Sequence, residues 1–244
     1  MDRSDPAYRG QADYSPLLLK LYDPIVIGVV SRLVWRFPGY PLVDVYRARI
    51  SDRHLDIGPG TGYLIDHSGI PDGGHVTIVD PNPNVLRHAT RRLRRLNVTA
   101  VEADVLKPLP VDGPFDSAAL CLVIHCLPGP LSRKATAVAN IAAVLVPDGV
   151  LFGASVLGRS GQHTWLGRRV LAAFNRRGAF DNLDDSEEGL REILAASFEN
   201  VEMEAFTSVV VFAASKPRAG VPRPGSGIPG PPNGRDGDHT VAGD

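Results

Sequence analysis

Two rhythms of apolar and polar residues divide this chain. Short, nearly unbroken apolar runs occur at 55–57, 75–79, 98–102, 115–127 and 150–156, as expected of strands covered on both faces. Between them, apolar positions recur at helical spacing over 63–68, 85–96, 131–146, 167–177 and 190–198. This alternation of strand and helix predicts an α/β fold. Two last apolar runs, 201–206 and 209–214, flank a tight Thr207-Ser208 connection and read as a closing antiparallel hairpin. The helix before them opens on Asp184, Asp185, Glu187 and Glu188, acids at its positive end, with Asp185 and Glu188 at capping-box spacing.

The two ends of the chain have a different character. Residues 1–14 are polar and charged and are expected to be disordered, while 15–50 carry helical patterns at 17–22, 25–37 and 42–49. The main domain is placed at 51–215. In 216–244 prolines and glycines dominate, and such a segment buries too little apolar surface to offset its ordering entropy.

Composition then narrows the partners. Of 244 residues 43% are hydrophobic and 22% charged, enough for one substantial core with an appendage. Lys plus Arg number 26 against 27 Asp plus Glu, a formal charge of -1, which exerts no general pull on nucleic acid or an anionic membrane. Arg87, Arg91, Arg92, Arg94 and Arg95 lie along one helical pattern without interleaved aromatics and read as a solvated face. Cys121 and Cys126 share one apolar run. On a strand they would face opposite ways, so the expectation is reduced, buried thiols in a cytoplasmic protein, with no disulfide and no structural zinc. No cleavable leader is legible in the polar N-terminus, and the apolar stretch 25–35 is too short to span a bilayer.

The most informative stretch is His54-Leu-Asp-Ile-Gly-Pro-Gly-Thr-Gly-Tyr63. An apolar strand carries Asp56 at its end and then meets Gly58, Gly60 and Gly62 at alternate positions, just before a helix opens. A backbone approaches a ligand closely only where side chains are missing, and helix N–H groups beyond the turn favour anionic or polar groups. A dinucleotide loop needs a small residue where Tyr63 stands. The spacing Asp-x-Gly-x-Gly-x-Gly resembles instead the first motif of the class I S-adenosylmethionine-dependent methyltransferases.

The order of the segments from Leu55 to Val156 is similar to that family without a gap. The resemblance implies a Rossmann-like, seven-stranded, mostly parallel sheet with helices on both faces and an antiparallel C-terminal hairpin. It implies S-adenosyl-L-methionine as cofactor, held by Asp56, the loop Gly58, Pro59, Gly60, Thr61, Gly62 and Tyr63, and Asp80 on the ribose. Pro81 and Asn82 would lie along the adenosine edge, and Asp104 and the Val105 backbone would meet adenine. Glu102 competes with Asp104, but strand alternation favours Asp104. Cys121 and Leu122 are the backbone candidates for the methionine ammonium. The segment 15–50 would cap the pocket and supply Tyr22, Trp35 and Tyr40 to the acceptor wall.

His125 falls at the carboxyl end of the central apolar run, where open α/β sheets bind ligands, and is the candidate general base and an acceptor contact, with His163 behind it. Packing at a helix entry is the structural alternative. Segment 158–184, which the resemblance makes an insertion shaping the acceptor pocket, adds Trp165. No carboxylate cluster demands a metal. The expectation is methyl transfer to a small molecule, a natural product or another compact metabolite, with oxygen favoured over nitrogen or carbon, by a monomer or homodimer. The alternative is a cofactor-binding protein of the same fold with a regulatory or non-methylating role.

Overall fold

In the computed structural model of this protein the described residues are 34, 35, 37, 41–160 and 162–218. Residues 1–14 and 219–244, the helical patterns at 17–22 and 25–33, Tyr22 and Tyr40 lie outside them, whereas Lys216 and Pro217, expected in the disordered tail, end the last strand.

The strands are β1 (Arg53–Ile57), β2 (His75–Val79), β3 (Asn97–Val101), β4 (Phe115–Cys121), β5 (Leu145–Val156), β6 (Phe198–Phe206) and β7 (Val209–Pro217). They form one sheet in the order β3-β2-β1-β4-β5-β7-β6, with β7 antiparallel to both its neighbours and all other pairs parallel. The helices are α1 (Pro41–Arg49), α2 (Tyr63–Asp66), α3 (Pro83–Arg92), α4 (Leu131–Ala142), α5 (Trp165–Arg176) and α6 (Glu187–Ser197). The expected sheet and closing hairpin are both present.

Strand alternation sorts the core into two layers. Ala118 and Leu120 of β4 pack with Ala137, Val138 and Ile141 of α4 and with Leu190 and Leu194 of α6. Ala119 and Cys121 face the other way, toward Tyr46 of α1, Ile65 of α2, Leu86, Ala89 and Leu93 of α3, and Leu171 of α5. Phe152, fully buried in this second layer, meets the Tyr46 ring edge-on at 5.0 Å. Truncating such a core aromatic to alanine costs about 3–5 kcal/mol.

Local chemistry moves several boundaries. The apolar run from Phe115 stops being a strand at Cys121, because Leu122 adopts φ 59°, and the chain closes a 3-10 turn over Ile124–Cys126. β5 begins at Leu145 rather than at 150, so the Pro147-Asp148-Gly149 turn is absorbed as an irregularity in its pairing with β4. α3 starts earlier than expected because the Asn82 side chain accepts the Asn84 N–H at 2.9 Å and Pro83 pre-sets the first turn. At α6 the cap is Ser186, whose hydroxyl accepts the Gly189 N–H at 3.1 Å. Asp185, expected in a capping box, is buried elsewhere.

Arg95 is not simply solvated: it reaches Asp66, Asp72 and the Ile70 carbonyl. Cys121 is buried and Cys126 exposed, both free, where two buried thiols were expected. Among the described residues no helix is long and apolar enough to cross a membrane.

Candidate cofactor and acceptor site

The sheet order reverses direction between β1 and β4, and at the carboxyl ends of those strands the chains separate to opposite sides. Ligand crevices of open α/β sheets form at such a point. Here the cleft encloses about 1300 Å³, its open mouth included. Its floor is the glycine loop. Gly58, Gly60 and Gly62 all have positive φ, at 66°, 56° and 79°, and the Gly58 N–H is tied to the Val79 carbonyl at 2.8 Å. A Cβ on Gly58 would lie 2.6 Å from Val123 Cγ2, whereas one on Gly60 would meet nothing within 4 Å. A side chain at Gly58 would thus run into Val123 of the cleft wall, while Gly60 leaves open space.

Three further segments converge on this floor. Asp80, Pro81 and Asn82 follow β2, and Asp104 and Val105 follow β3; all five line the cleft with the loop residues Gly58, Pro59, Gly60, Thr61 and Tyr63. Asp80 Oδ1 accepts the Asn82 N–H at 2.7 Å. Burial pushes its carboxyl up to about 7, and that N–H pulls against the shift. Asp104 Oδ1 accepts the Leu106 N–H at 2.9 Å, and Asn140 holds the Val105 carbonyl at 2.8 Å. Glu102, the competing acid, is exposed and does not line the cleft. From β4 come Cys121 and Leu122. The Leu122 N–H reaches the Ala154 carbonyl at 2.7 Å, and its left-handed backbone stores about 1–3 kcal/mol of strain where the chain leaves the strand.

Asp56 and Gly62 stand behind this lining. Asp56 is buried, and its Oδ2 accepts the Tyr46 hydroxyl at 2.8 Å with His54 Nε2 3.6 Å away. His54 Nδ1 is 2.8 Å from Ser117 Oγ, which also takes the Ser51 N–H. Tyr46 is the member of this network that reaches the cleft. Burial, and then the Asp56 charge, raise its phenol well above the usual range. In the sequence Tyr46 is one aromatic in a short helix, and only its bond to the buried Asp56, ten positions on, marks it.

The histidines stand elsewhere. Because β4 ends at Cys121, His125 lies in the 3-10 turn and its ring packs inward against Phe180, with centroids 4.4 Å apart. It is buried and absent from the cleft lining. Nδ1 accepts the Val156 N–H at 3.1 Å, so the neutral ring carries its proton on Nε2. Burial, and then the Lys134 charge, lower its basicity to a pKa of about 3. His163 donates from Nε2 to the Leu157 carbonyl at 2.8 Å and packs edge-on against Trp35. Neither His163 nor Trp35 lines the cleft; both belong to the interior between α5 and the sheet. Trp165 is 65% exposed and borders a surface groove with Arg168, Arg169 and Arg176, not the cleft. Among the described residues, His125, His163, Trp35 and Trp165 thus lie off the cleft lining.

What the sequence did not single out are the lining residues Val123, Cys126, Leu127 and Pro128, and Ala179 from the segment after α5; the two segments are joined by hydrogen bonds from the Asp181 N–H to the His125 carbonyl and from the Gly129 N–H to the Asp181 carboxylate. Among the described residues no cluster of three or more His, Cys, Asp or Glu side chains is arranged to hold a metal.

A family model described as a methyltransferase domain matches residues 55–151, the span from β1 through β5 that builds the cleft. The physcion biosynthesis cluster O-methyltransferase of Aspergillus chevalieri is 37% identical over 221 residues, covering 89% of this chain and 100% of the relative. The chain belongs to the methyltransferase family. Demethylluteothin O-methyltransferase of Streptomyces thioluteus is 36% identical, with 84% of this chain and 90% of that protein covered. The same fold is found in the N-methyltransferase NodS of Bradyrhizobium japonicum WM9 in complex with S-adenosyl-L-homocysteine. Its TM-score is 0.54 at 17% identity, over 73% of this chain and 85% of that one.

This methyltransferase takes S-adenosyl-L-methionine as cofactor, and its residues fit the group. The open space at Gly60 admits a close ligand, and Asp80 and Asp104 offer carboxyls in the cleft lining, with Val105 beside Asp104.

Proposed function

We propose that this methyltransferase methylates an oxygen of a compact, largely apolar natural product, bound between residues 123–128 and Ala179. The observation that carries this reading is the make-up of that end of the cleft: Val123, Leu127, Pro128 and Ala179 provide small apolar surface on which a flat ring system can lie. The O-methyltransferase names of the two relatives support oxygen as the acceptor atom. The near-zero net charge supports a small molecule over nucleic acid or an anionic membrane as partner. We take the enzyme to act in the cytoplasm as a monomer or homodimer.

The bound cofactor supplies a methyl group already activated by its sulfonium. The protein's part is placement. Asp80 would accept the ribose hydroxyls, Asp104 and the Val105 N–H would meet the adenine edge, and the Leu122 carbonyl would receive the ammonium. The loop Gly58, Pro59, Gly60, Thr61 brings backbone against the cofactor, with Gly62 and Tyr63 opening the helix beside it, Asn82 and Pro81 along the adenosine and Cys121 beneath. Asp56 acts through Tyr46, whose hydroxyl it holds. Holding donor and acceptor in line, away from water, accounts for most of the rate gain open to such a site. His125, whose Nδ1 is taken by the Val156 N–H, and His163, buried away from the cleft lining, are not placed for proton removal, so the acceptor oxygen is one acidic enough to ionise without an imidazole, such as a phenol or enol.

Incubation with methyl-labelled cofactor and a panel of phenolic and enolic metabolites checks this, alongside calorimetric binding of S-adenosylhomocysteine. Label appearing on an oxygen of a compact aromatic acceptor is expected. Tight cofactor binding with no transfer to any acceptor would point to the non-methylating alternative instead.

A further inference from the structure

The segment 178–185 runs from the end of α5 toward the start of α6 and carries Ala179 onto the cleft. It is fastened by buried polar groups that methyl transfer does not use. Lys134 of α4 is fully buried, and its Nζ donates to the Asp181 carbonyl at 2.6 Å and to Asp185 Oδ2 at 2.7 Å. The Asp181 N–H donates to the His125 carbonyl at 2.9 Å, and the Asp181 carboxylate accepts the Gly129 N–H at 2.7 Å. Asn182, also buried, donates from Nδ2 to the Val156 carbonyl at 2.8 Å and exchanges two hydrogen bonds with Asn175. The Asn182 carbonyl oxygen sits 1.9 Å from where a Gly158 Cβ would be, so the segment lies directly on the backbone leaving β5.

A lysine ammonium with no access to water is an expensive way to gain stability, because desolvation cancels much of the attraction to its carboxylate. Its strength is geometric: three donors on one nitrogen specify where a carbonyl and a carboxylate must be. Lys134 addresses two points of one segment from outside it, and the residue so placed in the cleft is Ala179, which lines it together with Cys126, Leu127 and Pro128.

We propose that Lys134 and Asp185 are positioning residues for the acceptor: they hold segment 178–185 in the register that makes Ala179 a wall of the acceptor end. This rests on the reading that residues 123–128 and Ala179 receive the methyl acceptor. Acceptor selection then depends on an ion pair that never touches the acceptor, while the cofactor end, built on the glycine loop and β2, is independent of it.

The test uses the full chain, S-adenosylhomocysteine as cofactor probe, and the acceptor identified by label transfer. Lys134→Met and Asp185→Asn are expected to speed amide exchange across 178–185 at least about tenfold, leave exchange in β1 and β4 unchanged, and keep the cofactor Kd within about twofold. The acceptor KM should rise at least about tenfold with the cofactor KM unchanged. Unaltered exchange across 178–185, or a loss of cofactor affinity equal to the loss of acceptor affinity, overturns the proposal. Should Lys134→Met not fold, Ala179→Leu probes the same wall. It should raise the acceptor KM while retaining cofactor binding, and an unchanged acceptor KM counts against the wall. Failure of the functional reading looks different: cofactor bound, segment protected as in the parent, and no label transferred to any acceptor.

Discussion

The two ends of the cleft are built by opposite means. The cofactor end is mostly local chain: the turn after β1 with its positive-φ glycines, and short side chains at the tips of β2 and β3. The acceptor end is assembled from a turn at Ile124–Cys126, one residue after α5 and an ion pair between α4 and the start of α6. A site made by local backbone geometry keeps its design in a few adjacent letters. A site made by long-range contacts spreads it over residues whose roles show only when they meet.

The largest expected effect tests the local end. Gly58→Val forces a branched side chain into left-handed backbone and against Val123, and should weaken S-adenosylhomocysteine binding about 100-fold, close to 3 kcal/mol, by calorimetry. Thermal unfolding of the same variant separates lost binding from lost fold. A change below about threefold would break the claim that backbone at this loop sets cofactor affinity.

Asp80→Ala comes next. Removing a carboxylate that accepts ribose hydroxyls should cost about 1.5–3 kcal/mol of binding. The pH dependence sharpens the assignment. Burial raises this carboxyl to about 7 in the folded protein, so over the range from the ordinary carboxyl value up to 7 the native state binds more protons than the unfolded chain. Stability of the cofactor-free protein from this group is therefore present at low pH and lost as pH rises through 7. Cofactor affinity runs the other way, falling as pH drops below about 7, where protonation competes with the ribose. Asp80→Asn should flatten both profiles, measured by thermal unfolding and by calorimetry between the two pH limits.

The smallest expected effect concerns His125. His125→Asn keeps an acceptor for the Val156 N–H and should change kcat less than about tenfold with the same pH–rate profile, whereas loss of a general base costs about 10²–10⁴-fold. A drop in that larger range, with a lost titration, would return His125 to the chemistry.

Much of this protein was legible without its structure. The strand and helix order and the glycine loop at Gly58 follow from local patterns of period, turn and spacing, and the resemblance of its motif to a family supplied the sheet order and the expectation for Asp80 and Asp104. His125 shows the limit. An apolar run that continues to Leu127 reads as strand throughout, and the left-handed Leu122 that ends it carries no mark in composition. Likewise Asp185 has the spacing of a helix cap, and only the folded chain presents it to Lys134, fifty-one positions away.

By itself the sequence determined the fold class, because glycine conformations, caps and strand periods are properties of neighbouring residues. Tertiary structure alone decided which side chains line the cleft. Burial, the tautomer of His125 and the pairing of Lys134 depend on contacts between distant segments, and no local pattern encodes them.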